Sequence, residues 1–392
     1  MEKITKRHSL QEIRDYLDMQ YSIRKNALTL EVEIKQEGDD YFEILDDAYL
    51  NTIWYNLQID GFKCSDATLM KIINSKLTDA YNPLEDFMKS LPVYDNGKDY
   101  INELASTVKI SNIEVGETNL QKLWKPYLEK WLVASVATVL GYGINHTCLI
   151  LVGGQGIGKT TWLNQLCPEE MKEFLVCSHI NPSLTDNNTA NFLAEKWFVN
   201  IDDQLETIFG KDFNSMKAII TAPFVTNRKT WHRFSRKRPR MCSFMGSVNN
   251  PQFLTDSENR RYLVFSIEDV DLDKSCDMKL VWSQALYLLK SRYRYWFTQE
   301  EIAQLNQVNE HYRQPTAEEE WLIKIFEPVA ENSPGRQYLM ASEILSRLMY
   351  DSGLKLTTKR LNTALKQKGF GEPLNRKING IGRRVYSVKV IE

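Results

Sequence analysis

The chain has 392 residues, of which 43% are hydrophobic and 26% are charged, which excludes a disordered or fibrous protein and leaves room for two or three globular domains. Its net charge of −2 averages over local extremes and excludes no class of partner. The six cysteines form no C-x-x-C pair, which argues against zinc sites and a disulfide framework. Without a signal-peptide core or a membrane-length apolar run, we expect a cytoplasmic protein that has no membrane partner.

Residues 1–110 have the pattern of a small, mostly helical domain with a strand or hairpin, and this domain carries no recognisable chemistry. Ser9, followed three residues later by Glu12, predicts a capping box at the start of a helix. Apolar and polar residues alternate in 24–35, which predicts a half-buried strand. Further helical segments are expected at 41–61 and 65–81.

A long amphipathic helix is predicted for 117–140, and it leads into the most specific motif of the chain. Residues 149–152 are an apolar run typical of a buried strand, and a helix opens after the glycine-rich turn that follows. Gly153, Gly158, Lys159 and Thr160 match the G-x-x-x-x-G-K-[ST] pattern in the strand–loop–helix context that it requires.

The chemistry of this motif predicts ATP and Mg²⁺ as cofactors. Such a turn directs backbone N–H groups at a polyphosphate, the lysine reaches the β- and γ-phosphates, and the threonine hydroxyl completes a Mg²⁺ shell. The predicted nucleotide-binding residues are Gly153, Gly154, Gln155, Gly156, Ile157, Gly158, Lys159, Thr160 and Thr161.

A second buried strand is predicted at 196–204, where an apolar run ends in Asp202 and Asp203. A P-loop ATPase needs such a strand, because one carboxylate holds Mg²⁺ and a neighbouring one orients or deprotonates the attacking water. We assign the metal, with Thr160, to Asp202 and the water to Asp203. By itself the acidic pair is equally consistent with a turn that ends a strand.

Between Asp212 and Asp256 the chain has no acidic residue, but it is rich in Lys and Arg with aromatic residues among them. Lys and Arg can neutralise phosphates, and aromatic side chains can stack on bases. The segment therefore predicts single-stranded or forked DNA as a partner. A solvated surface is the alternative interpretation. The residues assigned to DNA are Arg228, Lys229, Trp231, His232, Arg233 and Arg236.

Another strand is predicted at 241–246, with Asn249 near its end, where ring ATPases place a polar residue that contacts the γ-phosphate and the attacking water. Arg260 and Arg261 precede the apolar strand 262–267, and an arginine there can neutralise charge at a neighbouring subunit's nucleotide. A local turn and surface salt bridges are the respective alternatives.

The region 278–313 is predicted to be helical. From about 314 onward, two amphipathic helices precede a strand at 383–390 that alternates and is basic. Helix, helix and basic hairpin is the pattern of a winged-helix domain, which commonly binds DNA but also serves in protein–protein contacts.

With these motifs the chain resembles the virulence-associated protein E family, P-loop ATPases of phages and mobile elements related to superfamily 3 helicases. The resemblance rests on five segments: residues 82–105, which precede the predicted ATPase core, the phosphate loop, KWFVNIDD, MGSVNNPQFLTD and ENRRY. It implies a phosphate-binding Lys159, an acidic pair of Asp202 and Asp203, a sensor Asn249, an arginine finger at Arg260 or Arg261, and a DNA-gripping hairpin around 229–233.

Two departures from the family pattern matter. The family usually has glutamates around the metal-binding strand, where this chain has Asn200 and Asp203, so slow hydrolysis is expected. No primase domain precedes the ATPase, so primer synthesis is not expected.

We therefore predict an α/β fold with three parts: a mostly helical N-terminal domain (1–110), a P-loop (AAA+/superfamily 3-like) ATPase core (111–300), and a helical linker with a winged-helix domain (301–392). The predicted function is ATP-driven DNA translocation or unwinding in replication of a mobile element, by a homo-oligomeric ring, a hexamer. The alternatives are an ATP-gated replication initiator without processive unwinding and a regulatory module that binds nucleotide without hydrolysing it.

Overall fold

A computed structural model describes residues 8–115, 118–208, 210–229, 234–255, 259–329, 333–378 and 380–391. The chain forms two compact units, Met1–Tyr312 and Arg313–Glu392. The first unit contains a small N-terminal sheet with its own core and a larger sheet with the main core, and the second unit has a third core.

The N-terminal part consists of three helices and a four-stranded sheet of order β3-β2-β1-β4. Its elements are α1 (Leu10–Gln20), β1 (Tyr21–Asn26), β2 (Val32–Gln36), β3 (Glu43–Ile44), α2 (Asp47–Ile59), α3 (Asp66–Ile73) and β4 (Asp79–Tyr81). Ser9 and Glu12 form the predicted capping box at the start of α1.

The segment 24–35 lies in a hairpin, which is one of the two arrangements, strand or hairpin, that the sequence allows for this region. The side chain of Asn26 accepts hydrogen bonds from the N–H groups of Leu28 and Thr29, and Leu30 has a φ of 63°. This turn reverses the chain between β1 and β2. The alternation continues through the turn, so the pattern alone does not decide between one strand and a hairpin.

The main core surrounds a six-stranded sheet of order β5-β14-β8-β13-β10-β9, in which only β5 is antiparallel to its neighbour. Its strands and those of two small ribbons are β5 (Val108–Ile110), β6 (Glu114–Val115), β7 (Thr118–Asn119), β8 (Cys148–Val152), β9 (Leu175–Cys177), β10 (Phe198–Asn200), β11 (Phe224–Asn227), β12 (Arg236–Pro239), β13 (Ser243–Val248) and β14 (Tyr262–Val270). The accompanying helices are α4 (Pro83–Ser90), α5 (Tyr100–Ala105), α6 (Leu120–Val139), α7 (Lys159–Gln165), α8 (Asn187–Glu195), α9 (Gln204–Thr207), α10 (Gly210–Thr221), α11 (Met278–Lys290) and α12 (Gln299–Glu310), with a 3-10 helix at Glu169–Phe174.

Strand β8 lies inside this sheet and is buried along its whole length, as its apolar run predicts. Trp124 and Trp131 of α6 are buried in the core, in agreement with the helical spacing of their apolar neighbours. Helices α4 and α5 contribute to the same core and β5 pairs with β14, so residues 82–110 pack with the large sheet.

The region 278–313 is helical, as predicted, and contains the two helices α11 and α12. Between α11 and α12 the chain turns at Arg292, which has a φ of 62°. Thr298 and Glu301 form a capping box that starts α12, a T-x-x-E signal that is present in the sequence. Hydrophobic spacing continues across the break, so periodicity alone does not locate it.

The second unit has the order helix, strands, two helices and hairpin. Its elements are α13 (Ala317–Ile325), β15 (Phe326–Pro328), β16 (Gln337–Leu339), α14 (Ala341–Ser352), α15 (Thr358–Gln367), β17 (Leu374–Ile378) and β18 (Ile381–Val390). Strand β18 pairs antiparallel with β15, β16 and β17. Both predicted helices and the predicted strand are therefore present. Among the helices that the structure describes, none is long and apolar enough to span a membrane.

Candidate functional site

The glycine-rich loop 153–158 connects the carboxyl end of β8 to α7. Gly156 and Gly158 have φ values of 84° and 88°, a left-handed conformation that favours glycine. At Gly153 the constraint is space: a Cβ atom would lie 2.7 Å from Ile157 Cδ1 and 2.9 Å from the carbonyl oxygen of Ile267. A Cβ atom at Gly154 would meet nothing within 4 Å.

Lys159 is 6% exposed, and its ammonium group is held by three oxygens. Its Nζ donates to the carbonyl oxygens of Gly153 (2.8 Å) and Gly154 (2.7 Å) and to Oδ1 of Asn249 (2.9 Å). Burial lowers the pKa of Lys159, whereas the nearby carboxylates of Asp203, Asp202 and Glu206 act in the opposite direction. The loop, the lysine and Asn249 are thus in direct contact.

Three oxygen-bearing side chains meet beside Lys159. The Thr160 hydroxyl donates to Asp202 Oδ1 at 2.9 Å and lies 3.2 Å from Ser247 Oγ, and Ser247 also donates to Asp202. A hydroxyl and a carboxylate are ligands that suit Mg²⁺, which also keeps waters and phosphate oxygens in its shell. No group of three His, Cys, Asp or Glu side chains suited to a metal occurs in the described part of the chain, so phosphate and water oxygens would have to complete such a site.

Asp203 directly follows this group and has a φ of 52°, which is unusual for a residue other than glycine. Its N–H donates to the carbonyl oxygen of Ser247, and its carboxylate accepts from Asn249 Nδ2 at 3.2 Å. Burial raises the pKa of Asp203, and the charges of Asp202 and Glu206 raise it further. Asp203 and Asn249 therefore form a second contact around the same site.

Glu206 is a site residue that the sequence motifs did not reveal. It lies on α9, and its carboxylate accepts hydrogen bonds from the N–H groups of Asn249 and Asn250, the latter at 2.9 Å. The acidic residues predicted from the sequence directly follow β10, whereas the short helix α9 brings Glu206 back to the site after Asp203. The sequence contains this spacing as D-D-x-x-E. It indicates a third acidic residue at the site only once the turn after β10 is known.

The structure does not bring Arg260 and Arg261 to Lys159. Tyr262 pairs with Cys148 at the beginning of β8, and Ser266 pairs with Val152 at its end. The two arginines therefore lie at the opposite edge of the sheet from the glycine loop, about 17 Å away for five strand residues.

At that edge Arg260 is exposed and Arg261 is half-buried. Both line a cavity of about 400 Å³ with His146, and burial and nearby arginines lower the pKa of that histidine. Among the residues that the structure describes, neither guanidinium group pairs with a carboxylate. The acidic residues considered as their partners, Asp256 and Glu258, lie outside the described ranges.

The predicted DNA-binding segment contains the antiparallel ribbon of β11 and β12. Arg228 and Arg236 are exposed, whereas Lys229 pairs with Glu195 at 3.0 Å. Phe234, near the start of β12, is 78% exposed. Three further predicted residues lie outside the described ranges: Trp231, His232 and Arg233.

Buried Arg238 anchors the ribbon, because its guanidinium donates to Glu195, to Asn191 and to the carbonyl oxygen of Leu28. Lys25 of β1 is close enough for Arg236 to lower its pKa, after the larger effect of burial. The N-terminal sheet therefore contributes one more cation beside the ribbon.

Comparisons with known proteins give one matching family model and several similar solved structures. A family model described as the virulence-associated protein E-like domain matches residues 96–314, more than half of the chain. Among solved structures, the apo structure of the NrS-1 C-terminal region (305–718) is similar with a TM-score of 0.51 and 12% identity, and the match covers 100% of both chains. An A-form apo structure of that region matches with a TM-score of 0.48 and 14% identity, over 97% of this chain and 99% of that one. No curated protein matches the chain.

Proposed function

Because this chain belongs to the virulence-associated protein E-like family, we propose that it is a cytoplasmic P-loop ATPase that moves along or unwinds DNA in the replication of a phage or other mobile element. The observation that carries the proposal is the convergence of Lys159, Thr160, Asp202 and Asn249 beside a glycine loop at the carboxyl edge of the sheet. Ligands of α/β proteins bind at this edge.

The glycine loop and the start of α7 would hold the triphosphate of ATP. In the structure the three donor positions of Lys159 Nζ are directed at two loop carbonyl groups and at Asn249. Phosphate oxygens are stronger acceptors for an ammonium group than neutral carbonyl oxygens. We expect the β- and γ-phosphates to replace these contacts, while Thr160 and Asp202 hold Mg²⁺, which would neutralise phosphate charge when bound.

For hydrolysis, water attacks the γ-phosphorus, the bond from that phosphorus to the bridging oxygen breaks, and ADP leaves with the bond's electron pair. Asp203 would orient the water and take its proton, a role supported by its contact with Asn249, which in turn contacts Lys159. Asn249 would sense the γ-phosphate by exchanging its bond to Lys159 for one to phosphate. Glu206 positions Asn249 through the backbone.

The position of Arg260 and Arg261 supports an assembly in which nucleotide lies between subunits. Within one chain they lie near the start of β8, whereas the glycine loop follows its end, so they would reach phosphate only from a neighbouring subunit. An arginine supplied in this way stabilises charge in the transition state of phosphoryl transfer. We propose a closed ring, a hexamer, in which every subunit uses the same head-to-tail interface and the rotation between neighbours closes.

Single-stranded or forked DNA is the proposed partner of the ribbon formed by β11 and β12. Exposed Arg228 and Arg236 would contact phosphates, and Phe234 offers a ring for stacking. The second unit would be a winged-helix domain, as its order of helices and hairpin supports.

The function is tested by measuring ATP hydrolysis with and without single-stranded DNA and strand displacement on a forked substrate. We expect DNA-stimulated hydrolysis and displacement. Hydrolysis with DNA binding but no displacement would favour the initiator, whereas nucleotide binding with no turnover in either condition would favour the regulatory module.

A glycine substitution tests the role of the loop. In Gly153→Ala the new methyl group would collide with a backbone carbonyl oxygen and with Ile157, so the loop must shift. We expect ATP affinity to fall by at least about tenfold, equivalent to about 1.4 kcal/mol. Gly154→Ala is the matched control, because its Cβ meets nothing and its φ is not left-handed. Equal affinities of the two variants, measured by calorimetry, would contradict the assigned loop geometry.

Neutralising the ribbon tests the DNA contact. Arg228→Gln with Arg236→Gln should lower affinity for single-stranded DNA, and the salt dependence should weaken by about 0.7 logarithmic units for each phosphate that the variant no longer neutralises. Arg14→Gln with Arg294→Gln is the control, since it removes the same charge from arginines that are paired with carboxylates. Fluorescence anisotropy over a salt series makes the comparison, and an equal decrease in affinity for both double variants would show that only net charge matters.

A further inference from the structure

The last part of the second unit is strongly basic although the chain as a whole is not. The chain has 51 acidic and 49 basic residues, yet residues 355–389 contain ten Lys or Arg residues and only one carboxylate, that of Glu372. A local excess of this kind creates a positive potential that attracts polyanions.

Helix α15 presents a polar, cationic side to solvent. Its buried residues are Leu361, Ala364 and Leu365. The helical period places the opposite side at four exposed residues, namely Lys359, Asn362, Thr363 and Lys366. None of them is acidic or aromatic, so this side offers cations for phosphates and an amide and a hydroxyl for base edges.

The hairpin of β17 and β18 extends this side of α15. Arg384 of β18 lines a cavity of about 450 Å³ together with Asn362, Lys366 and Glu372. The register pairs Lys377 with Gly382, two residues before Arg384, so Lys377 and Arg384 lie on the same side of the hairpin.

We call this surface the α15–hairpin face and define it by Lys359, Lys366, Lys377 and Arg384. Among the described residues, only Lys366 of these four has a carboxylate partner, Glu372, at the long distance of 3.6 Å.

Like charges also face each other within the hairpin. Arg376 lies directly opposite Arg383 in the β17–β18 register. A directly opposed pair of like charges destabilises a hairpin. Arg376 stacks on the ring of Tyr338 at 3.9 Å, a contact that does not neutralise its charge. The alternation along each strand places both side chains on the opposite side of the hairpin from Lys377 and Arg384, so Arg376 and Arg383 are not part of the surface that those two residues share with α15.

We propose that the α15–hairpin face binds double-stranded DNA. The major groove accommodates an α-helix, and the cations of an adjacent hairpin can then reach the flanking phosphates. Single-stranded DNA suits the surface less well, because its binding relies on exposed rings for base stacking. The one ring within α15, β17 and β18 belongs to Tyr386, which is buried.

This site is separate from the ribbon of β11 and β12 in the first unit and does not depend on ATP hydrolysis. The full chain is tested by fluorescence anisotropy with a short blunt duplex and with one of its strands. Lys359→Gln with Arg384→Gln should weaken duplex binding by about tenfold or more and reduce the salt slope by about 1.8 logarithmic units for two phosphates. Single-strand binding and DNA-free ATP hydrolysis should remain at the wild-type level.

The matched control is Arg347→Gln with Lys389→Gln, which removes one arginine and one lysine charge from the same unit. Both control residues are paired with carboxylates, Arg347 with Asp351 at 2.6 Å and Lys389 with Glu327 at 2.7 Å. An equal decrease in duplex affinity in this control, unchanged duplex affinity in the test variant, or an equal decrease for single strand and duplex would each overturn the proposal. Absence of ATP hydrolysis alone would count against the proposed function and leave this site standing.

Discussion

Replacing Lys159 with alanine should abolish most ATP hydrolysis. The side chain is buried at the glycine loop, and its ammonium group lies where the loop carbonyl groups of Gly153 and Gly154 converge. Removal of one preorganised group that stabilises developing charge lowers turnover by roughly a hundred- to a thousand-fold. Phosphate release under saturating ATP, with and without single-stranded DNA, measures the effect.

Lys196→Ala is the matched control for this variant. Lys196 also donates to a backbone carbonyl oxygen, that of Glu173 at 2.7 Å, but it lies before β10, at the opposite end of that strand from Asp202. The control should hydrolyse ATP at the wild-type rate. If Lys159→Ala turns over ATP as fast as this control, the glycine loop is not the site of hydrolysis.

Asp203→Asn should separate nucleotide binding from hydrolysis. Asparagine keeps the shape of the side chain and its contact with Asn249 but cannot take a proton from water. Loss of a general base lowers kcat by about a hundred- to ten-thousand-fold. ATP affinity should change little, because Lys159, Thr160 and Asp202 are retained. Single-turnover hydrolysis together with equilibrium binding of ATP distinguishes the two effects.

The pH dependence of kcat gives the same assignment a second readout. A general base works only when it is ionised, and burial with the charges of Asp202 and Glu206 raises the pKa of Asp203. In the wild type, kcat should therefore fall as the pH drops through a value above the ordinary aspartate pKa of about 3.9. Glu206→Gln removes one of the charges that raise this pKa, so the acid limb should move to lower pH.

Glu206→Gln also tests whether Asp203 or Glu206 is the general base. If Glu206 only positions Asn249 and Asn250, the variant keeps measurable hydrolysis, since a neutral amide oxygen can still accept from their N–H groups. If instead Glu206→Gln shows the decrease in kcat expected of Asp203→Asn, and Asp203→Asn stays active, the roles of the two residues are reversed.

The parts of the site that sequence could predict are those fixed by local geometry. Lys159 and Thr160 follow a glycine turn whose spacing sets their position, and Asp202 follows an apolar run that forms a parallel strand. Parallel strands end at the same edge of a sheet, so the two residues meet there, with the Thr160 hydroxyl oxygen 2.9 Å from Oδ1 of Asp202. Asn249 joins them for the same reason, at the end of β13.

Other features depend on turns that periodicity does not encode. Glu206 reaches the site only because the chain bends at Asp203 into α9, and the hairpin at Asn26 is set by one side chain that bonds the backbone after it. The break before α12 has a recognisable cap, Thr298 with Glu301, but apolar spacing runs across it. In each case a local polar interaction overrides a hydrophobic pattern.

The remoteness of the arginines from the glycine loop makes assembly the decisive question. Native mass measurement of the chain with a non-hydrolysable ATP analogue and single-stranded DNA tests it directly. We predict a closed oligomer, a hexamer, in which one subunit's Arg260 or Arg261 reaches its neighbour's nucleotide. A chain that stays monomeric with both ligands bound, yet hydrolyses ATP at the same rate at every protein concentration, would contradict a nucleotide site shared between subunits.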